Sequence, residues 1–395
     1  MAKLSIRDLP LQGKRVLIRV DFNVPLTKSG SIADDTRLVE CIPTIQYALQ
    51  QGAKVILMSH MGRPDKGRDP SLSLGICAKR LSQLISAPVF FAPDCIGKEV
   101  EKMANDLKGG EVLLLENLRF HPGEEDPASD PNFARTLSGL GDFYVNDAFG
   151  SAHRAHSSTC TIAQYFPGKA AMGFLIEKEL SYLRPLYEKP ERPYFAIMGG
   201  SKLSLKLDMI KNLLSKVDRL FIGGGMAYTF FKAQGISIGS SICEDKYVQE
   251  AKSLLSSDKI RLPIDLVIAD SFRNDATYKI IEIKGGIPEG WQGMDIGPKT
   301  LAAWTTQLPD CKTLFWNGPV GVFEMPHFAS GTNNLAAALA KLPMTRIVGG
   351  GDTVAAINAQ NLGKSFTHIS TGGAASLQFL EQGHLPGIDA LSDKT

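Results

Sequence analysis

Arg346-Ile347-Val348-Gly349-Gly350-Gly351-Asp352-Thr353-Val354 carries the device from which this chain is built. An apolar run stops at three glycines, and Asp352 and Thr353 then open an amphipathic segment, Val354 to Leu362. The pattern predicts a strand, a tight turn and a helix start. Glycines there let backbone N–H groups approach an anion, the helix N-terminus favours negative charge, and Asp352 offers a ligand to a divalent cation. An ordinary N-cap fits the same residues. Repetition elsewhere in the chain favours the anion site.

Tyr194–Met198 runs into Gly199-Gly200, Arg219–Ile222 into Gly223-Gly224-Gly225, Thr313–Trp316 into Asn317-Gly318-Pro319, and Thr367–Ser370 into Thr371-Gly372-Gly373. Turns of this kind along one sheet edge would present free N–H groups to a flat ligand and its phosphates. After Ser201, Leu203, Leu207, Ile210, Leu214 and Val217 form one apolar stripe, which predicts a helix. Lys202 and Lys206 share another face of it, in the first turn, where a cation is unfavourable unless an anion is present. Both are therefore candidate phosphate ligands.

The first half alternates strands and helices differently. Arg15–Val20 leads into Asp21-Phe22-Asn23, Lys54–Ser59 into His60-Met61-Gly62-Arg63, Glu111–Leu115 into Glu116-Asn117-Leu118-Arg119, and Phe143–Val145 into Asn146-Asp147. Helical patterns lie between them, at Leu38–Gln50 and Leu74–Ile85. This order argues for βαβ units and a mainly parallel, buried sheet. Such sheets bind ligands beyond the carboxyl ends of their strands. Arg37, His60, Arg63, Arg119, His153, Arg154 and His156 collect there, a basic constellation suited to a small, multiply charged anion. Between the halves, Phe174–Leu183 is helical in pattern, and Pro185, Pro190 and Pro193 follow, as in a semi-rigid link between domains.

The net charge is only +2, so bulk attraction to nucleic acid or anionic membrane is not expected. The cysteines are scattered, with no Cys-x-x-Cys pair, which favours reduced thiols and a cytoplasmic protein. The first residues lack a signal-peptide apolar core, and no apolar run reaches membrane-span length. Gly-x-x-x-x-Gly-Lys-[Ser/Thr], Gly-x-Gly-x-x-Gly after a strand and His-Glu-x-x-His are all missing. On residues alone, three readings remain: a phosphotransferase, a two-domain dehydrogenase of an acid, and a binding protein for a phosphorylated acid.

Arg19-Val20-Asp21-Phe22-Asn23-Val24-Pro25, His60-Met61-Gly62-Arg63-Pro64, Glu116-Asn117-Leu118-Arg119-Phe120 and Asn146-Asp147-Ala148-Phe149-Gly150 through His156 resemble phosphoglycerate kinase. So do Gly223-Gly224-Gly225-Met226-Ala227, Asn317 through Glu324, and Gly350-Gly351-Asp352-Thr353. The resemblance implies two Rossmann-like three-layer α/β/α domains, each with a mainly parallel sheet, joined by a hinge helix. Residues 1–173 would bind 3-phosphoglycerate, 174–193 would form the hinge, 194–375 would bind nucleotide, and 376–395 would return to the N-terminal domain. It implies phosphoryl transfer between 1,3-bisphosphoglycerate and ADP, giving 3-phosphoglycerate and ATP, in glycolysis and gluconeogenesis, by a monomer.

By position, the resemblance implies that Asp21, Phe22, Asn23, Arg37, His60, Met61, Gly62, Arg63, Arg119 and Arg154 bind the glycerate. Lys206, Gly223, Gly224, Gly225, Asn317, Pro319, Glu324, Gly350, Gly351, Asp352 and Thr353 would bind nucleotide, with Mg2+ on Asp352. Arg37, Lys202, Gly372 and Gly373 would surround the transferring group. Leu205 and Ala374 depart from the pattern, where a polar residue and a glycine are usual.

Overall fold

In the computed structural model, residues 2–64 and 67–394 are described. The expected domain ends at Met1 and Thr395 lie outside them. The chain forms two compact units, residues 1–181 with 384–395, and residues 182–383.

The first unit carries β1 (Arg15–Arg19), α1 (Thr36–Gln50), β2 (Lys54–Met58), α2 (Gly75–Leu84), β3 (Val89–Phe91), α3 (Lys98–Asp106), β4 (Val112–Leu114), α4 (Phe133–Ser138), β5 (Phe143–Asn146) and β6 (Ala170–Met172). Its sheet is parallel, in the order β3-β4-β2-β1-β5-β6. Val16 and Ile18 enter one core with Leu38, Ile45 and Leu81, whereas Leu17 enters another with Val100 and Leu137. Alternate side chains of one strand thus bury on opposite faces, which makes three layers and explains the unbroken apolar run. The chain order reverses between β1 and β5, so the crevice beyond their carboxyl ends is the expected ligand position.

α5 (Phe174–Glu188) follows and includes Pro185. The second unit contains β7 (Tyr194–Met198), α6 (Leu207–Lys216), β8 (Arg219–Ile222), α7 (Met226–Ala233), α8 (Val248–Leu254), β9 (Ile260–Arg261), β10 (Asp265–Ala269), β11 (Tyr278–Glu282) and β12 (Gln292–Ile296). It continues with α9 (Pro298–Thr305), β13 (Thr313–Asn317), α10 (Ser330–Ala340), β14 (Thr345–Gly349), α11 (Gly351–Ala359), β15 (His368–Ile369) and α12 (Ala374–Gln382). A short α13 (Pro386–Asp389) lies in the terminal segment, which packs into the first unit: Asn146 Nδ2 donates to the Gly387 carbonyl at 2.9 Å. The main sheet of the second unit is parallel, in the order β15-β14-β13-β7-β8-β9. It reverses between β7 and β13, and Phe195, Ile197, Leu314, Trp316 and Val348 share a core.

Two features differ from the sequence reading. A three-stranded antiparallel sheet, β11-β10-β12, accompanies the parallel one. Its edge strand β11 is mostly exposed and lacks the alternation that would have marked it. Second, the helix expected right after Ser201 starts at Leu207, and Lys206 is its N-cap. Ser204 donates to Glu244 from its N–H (2.9 Å) and its hydroxyl (2.6 Å), which holds residues 204–206 in a turn. Lys202 and Lys206 therefore share no helical face, and Leu213 rather than Leu214 enters the core.

Candidate functional site

In the first unit, a cavity of about 320 Å³ lies beyond the sheet's carboxyl edge, lined by Asp21, Asn23, Arg37, His60, Gly62, Arg63, Arg119, Gly150, Ser151, His153 and Arg154. Four strand ends supply it. Arg37 enters from the first turn of α1, the wrong end of the helix dipole for a cation, and there it pairs with Asp21. Asn23 accepts from the Gly62 N–H (2.8 Å), and Arg119 donates to the Gly62 carbonyl (2.6 Å). That fixes the β1 and β2 loops against each other. Arg119 also bonds Glu125 at 2.7 Å, yet its Nε is buried with no partner among the described residues. A buried donor left open beside a cationic cavity suits an anionic ligand. Arg63 is exposed at the rim. Phe22 and Met61 point into the core, so their contribution to a ligand is confined to the backbone.

Beneath this cavity lies a buried network that the sequence reading passed over. Arg19 is fully buried at the end of β1 and donates from Nε to Ser158 (2.8 Å), with Glu124 at 3.9 Å. Ser158 in turn donates to Glu124 through its N–H (3.0 Å) and its hydroxyl (2.6 Å). Arg19 Nη2 lies 3.0 Å from His60 Nδ1. A guanidinium only donates, so Nδ1 accepts and the proton sits on Nε2. Burial first, then Arg19 and Arg119, hold the His60 pKa well below its ordinary value. His60 is thus a neutral N–H donor, not a cation. His156 is likewise pushed down to about 4 by burial and the neighbouring arginines, and it belongs to this network. The one sequence signal was an arginine ending an otherwise buried strand.

In the second unit, a cavity of about 350 Å³ is lined by Gly200, Ser201, Gly224, Gly225, Tyr228, Ile242, Phe272, Gln292, Gly293, Met294, Pro319, Gly321, Val322, Glu324 and Asp352. Its floor is the switch between β7 and β13. The glycines there pack backbone on backbone: a Cβ on Gly224 would meet Gly200 N at 2.7 Å and Pro319 O at 2.9 Å. Their N–H groups are mostly spent, Gly199 on Asn317 O, Gly200 on Pro319 O, Gly223 on Met198 O and Gly224 on Val320 O. The expectation of free donors along the whole edge is corrected accordingly; these glycines serve close approach. Free donors remain after β14, where the N–H groups of Gly351 and Asp352 in the first turn of α11 find no acceptor among the described residues.

Thr353 is buried, and its hydroxyl accepts from Gly318 N–H at 2.6 Å, which ties the β13 turn to α11. The register that pairs Asn317 with Gly349 sets the Asn317 amide near Gly350, where its Nδ2 is a buried donor without an acceptor among the described residues. Lys206 Nζ donates to the carbonyls of Gly199 (2.7 Å) and Asn317 (3.1 Å). Burial lowers its pKa to about 8 against the pull of Asp352. Asp352 and Glu324 are exposed on the cavity lining, and their carboxylates have no ion pair among the described residues. Of the expected nucleotide residues, Lys206, Gly223, Asn317, Gly350, Gly351 and Thr353 do not line it, nor do Lys202, Gly372 and Gly373; Lys202 stands exposed on its loop, and Gly373 caps α12. Of the apolar walls, Phe272 and Met294 come from the antiparallel sheet and its loops, which had no sequence signal, whereas Tyr228 lies in α7 and Ile242 in the segment that follows it.

A family model described as phosphoglycerate kinase matches residues 6–383. The chain is 51% identical to the phosphoglycerate kinase of Moorella thermoacetica and 49% identical to that of Limosilactobacillus reuteri, with full coverage of both chains in each pair. A solved structure of phosphoglycerate kinase from Coxiella burnetii superposes with a TM-score of 0.88 at 38% identity, covering 98% of each chain. No helix among the described residues is long and apolar enough to cross a membrane. The two α/β units, the cationic cavity at one sheet edge and the glycine-floored cavity at the other agree with these matches, and the chain belongs to the phosphoglycerate kinase family.

Proposed function

We propose a division of labour for the family's reaction, reversible phosphoryl transfer between 1,3-bisphosphoglycerate and ADP, which is the activity of this chain. The glycerate occupies the cavity of the first unit. Arg37, Arg63, Arg119 and Arg154 neutralise its anionic groups, and His60 donates a hydrogen bond from Nε2. Asp21 and Asn23 hold its polar groups, and the backbone of Phe22, Met61 and Gly62 shapes the wall. The observation that carries this is the concentration of cations at four strand ends around one cavity.

The nucleotide occupies the cavity of the second unit. Its base lies against Gly224, Gly225 and the apolar wall, with Gly223 behind them, and its ribose meets Glu324. Its phosphates approach Lys206, Asn317, Pro319, Gly350, Gly351 and Thr353. Asp352 fits Mg2+: it is an exposed carboxylate with no ion pair among the described residues, and this cation is commonly held by one or two carboxylates plus substrate phosphates. When bound, the cation neutralises phosphate charge. Arg37, Lys202 and the Gly372-Gly373 turn are assigned to the transferring group. The acceptor carboxylate is already ionised, so positioning and charge neutralisation suffice and no general base is required.

The two ligands belong to different units, so this reading includes a closing motion about 174–193 during turnover. The boundaries 1–173, 194–375 and 376–395, a monomeric state and a cytoplasmic location belong to the same reading; six free cysteines fit a reducing compartment. A coupled assay for ATP-dependent consumption of 3-phosphoglycerate tests the whole. Arg37→Ala and Lys202→Ala should lower turnover far more than nucleotide affinity, and equal losses in both would reverse the assignment.

A further inference from the structure

We propose that Asp94, Cys95 and His121 form a binding site for a borderline-soft divalent cation of the zinc class, in addition to the two substrate cavities. Among the described residues this is the only group of three metal-capable side chains with ligand atoms all within 4.8 Å of one another. It shares no residue with either cavity.

The site joins two neighbouring strand ends. Asp94 and Cys95 follow β3, and His121 ends the 3-10 turn Leu118–Phe120 that follows β4. β3 and β4 pair in parallel, Phe91 opposite Leu114, so the fold itself brings the two loops together. His121 Nε2 already stands 2.7 Å from Asp94 Oδ1. Its ring is stacked on Phe133 at 5.4 Å, and its backbone N–H is tied to the Leu118 carbonyl at 3.1 Å, so the imidazole is fixed before any ion arrives. Cys95 is fully buried beneath, whereas the His121 and Asp94 side chains are 26% and 37% exposed. An ion therefore has an entry path from solvent and a dry sulfur at the bottom.

The donor set selects the ion. One sulfur, one imidazole nitrogen and one carboxylate oxygen suit zinc with a fourth, solvent-facing position; a hard cation such as Mg2+ prefers all-oxygen ligands. Zinc bonds of roughly 2.0–2.3 Å in a tetrahedron put ligand atoms roughly 3.3–3.7 Å apart, so adjustments of about 1 Å close the site. On binding, the Cys95 thiol loses its proton to solvent as the sulfur–metal bond forms, and no oxidation state changes. An Asp–His surface pair alone would not need a third donor of different chemistry facing the same point.

The test titrates the full-length protein, free of nucleotide, with cadmium as a spectroscopic substitute for zinc. One equivalent should produce thiolate-to-cadmium charge-transfer absorption in the ultraviolet, displaced by zinc and unaffected by excess magnesium. Cys95→Ser should abolish that absorption, and His121→Gln should weaken cadmium binding by at least about tenfold. Both variants should retain the parent's kinase activity, which also certifies their fold. Absence of the absorption from the parent, or its persistence with equal affinity in Cys95→Ser, overturns the proposal. So does displacement by magnesium.

Discussion

Lys206 makes nucleotide binding a proton-linked event. Its ammonium sits under the Gly199 and Asn317 carbonyls, and burial brings its pKa from 10.5 to about 8. At about 1.36 kcal/mol per unit, and discounted for partial exposure, that is on the order of 2–3 kcal/mol against the charged form. A nucleotide phosphate beside it would reverse the cause by restoring an opposite charge, so the bound lysine stays protonated. In the free protein at pH 8 the site is about half protonated, hence binding should take up about half a proton, and about a tenth of one at pH 7. Above pH 8 affinity should fall by up to about tenfold per unit until the bound-state pKa is reached. Titration calorimetry with ADP, in pairs of buffers that differ in ionisation enthalpy, reads the proton count directly. Lys206→Met keeps the stem and removes the charge; it should bind ADP with no uptake and a flat pH profile. Zero uptake by the parent at pH 8, or the same uptake in Lys206→Met, would refute phosphate contact by this residue.

Asp147 carries a second pH signature. It is fully buried, accepts from the Leu175 N–H at 2.8 Å, and burial raises its pKa to about 8. The folded state therefore holds a proton that the unfolded state has released between about pH 4 and pH 8, and stability should fall across that window by up to several kcal/mol. Asp147→Asn should flatten this trend in urea midpoints measured at pH 5 and pH 8; an unchanged trend contradicts the assignment. Arg19→Met should cost about 3–5 kcal/mol, because Glu124 is left buried without its partner, and adding Glu124→Gln should recover part of that loss. A single variant within about 1 kcal/mol of the parent in denaturant titration would show the pair to be unimportant. Gly199→Ala would drive a methyl group against the carbonyls of Pro319 and Gly318 and should abolish nucleotide binding or folding. Gly351→Ala meets nothing within 4 Å, so it should fold normally, and its ADP affinity reports on the α11 turn alone.

Much of this protein could be read along the chain. Apolar runs ending in Gly or in charged residues located the main parallel strands, and Asp352 at the start of α11 is where the pattern put it. Arg37, His60, Arg63, Arg119 and Arg154 do share one cavity, because parallel strands covered on both faces must send their carboxyl ends to one edge. These are consequences of local periodicity and residue type. What the chain order could not reveal are pairings between distant segments. The same Gly-Gly spelling marks interlocked backbones after β7 and β8 and open donors after β14, and only the register of β13 against its neighbours separates the two. Lys206 left its expected helical face because Glu244, remote in sequence, claimed Ser204. His60 reads as a cation by composition but is a neutral donor, because Arg19 meets its Nδ1 in a space too dry for a second charge. Sequence dictated which groups reach the sheet edges; burial and cross-strand neighbours decided their charge and which of their hydrogen bonds remain free.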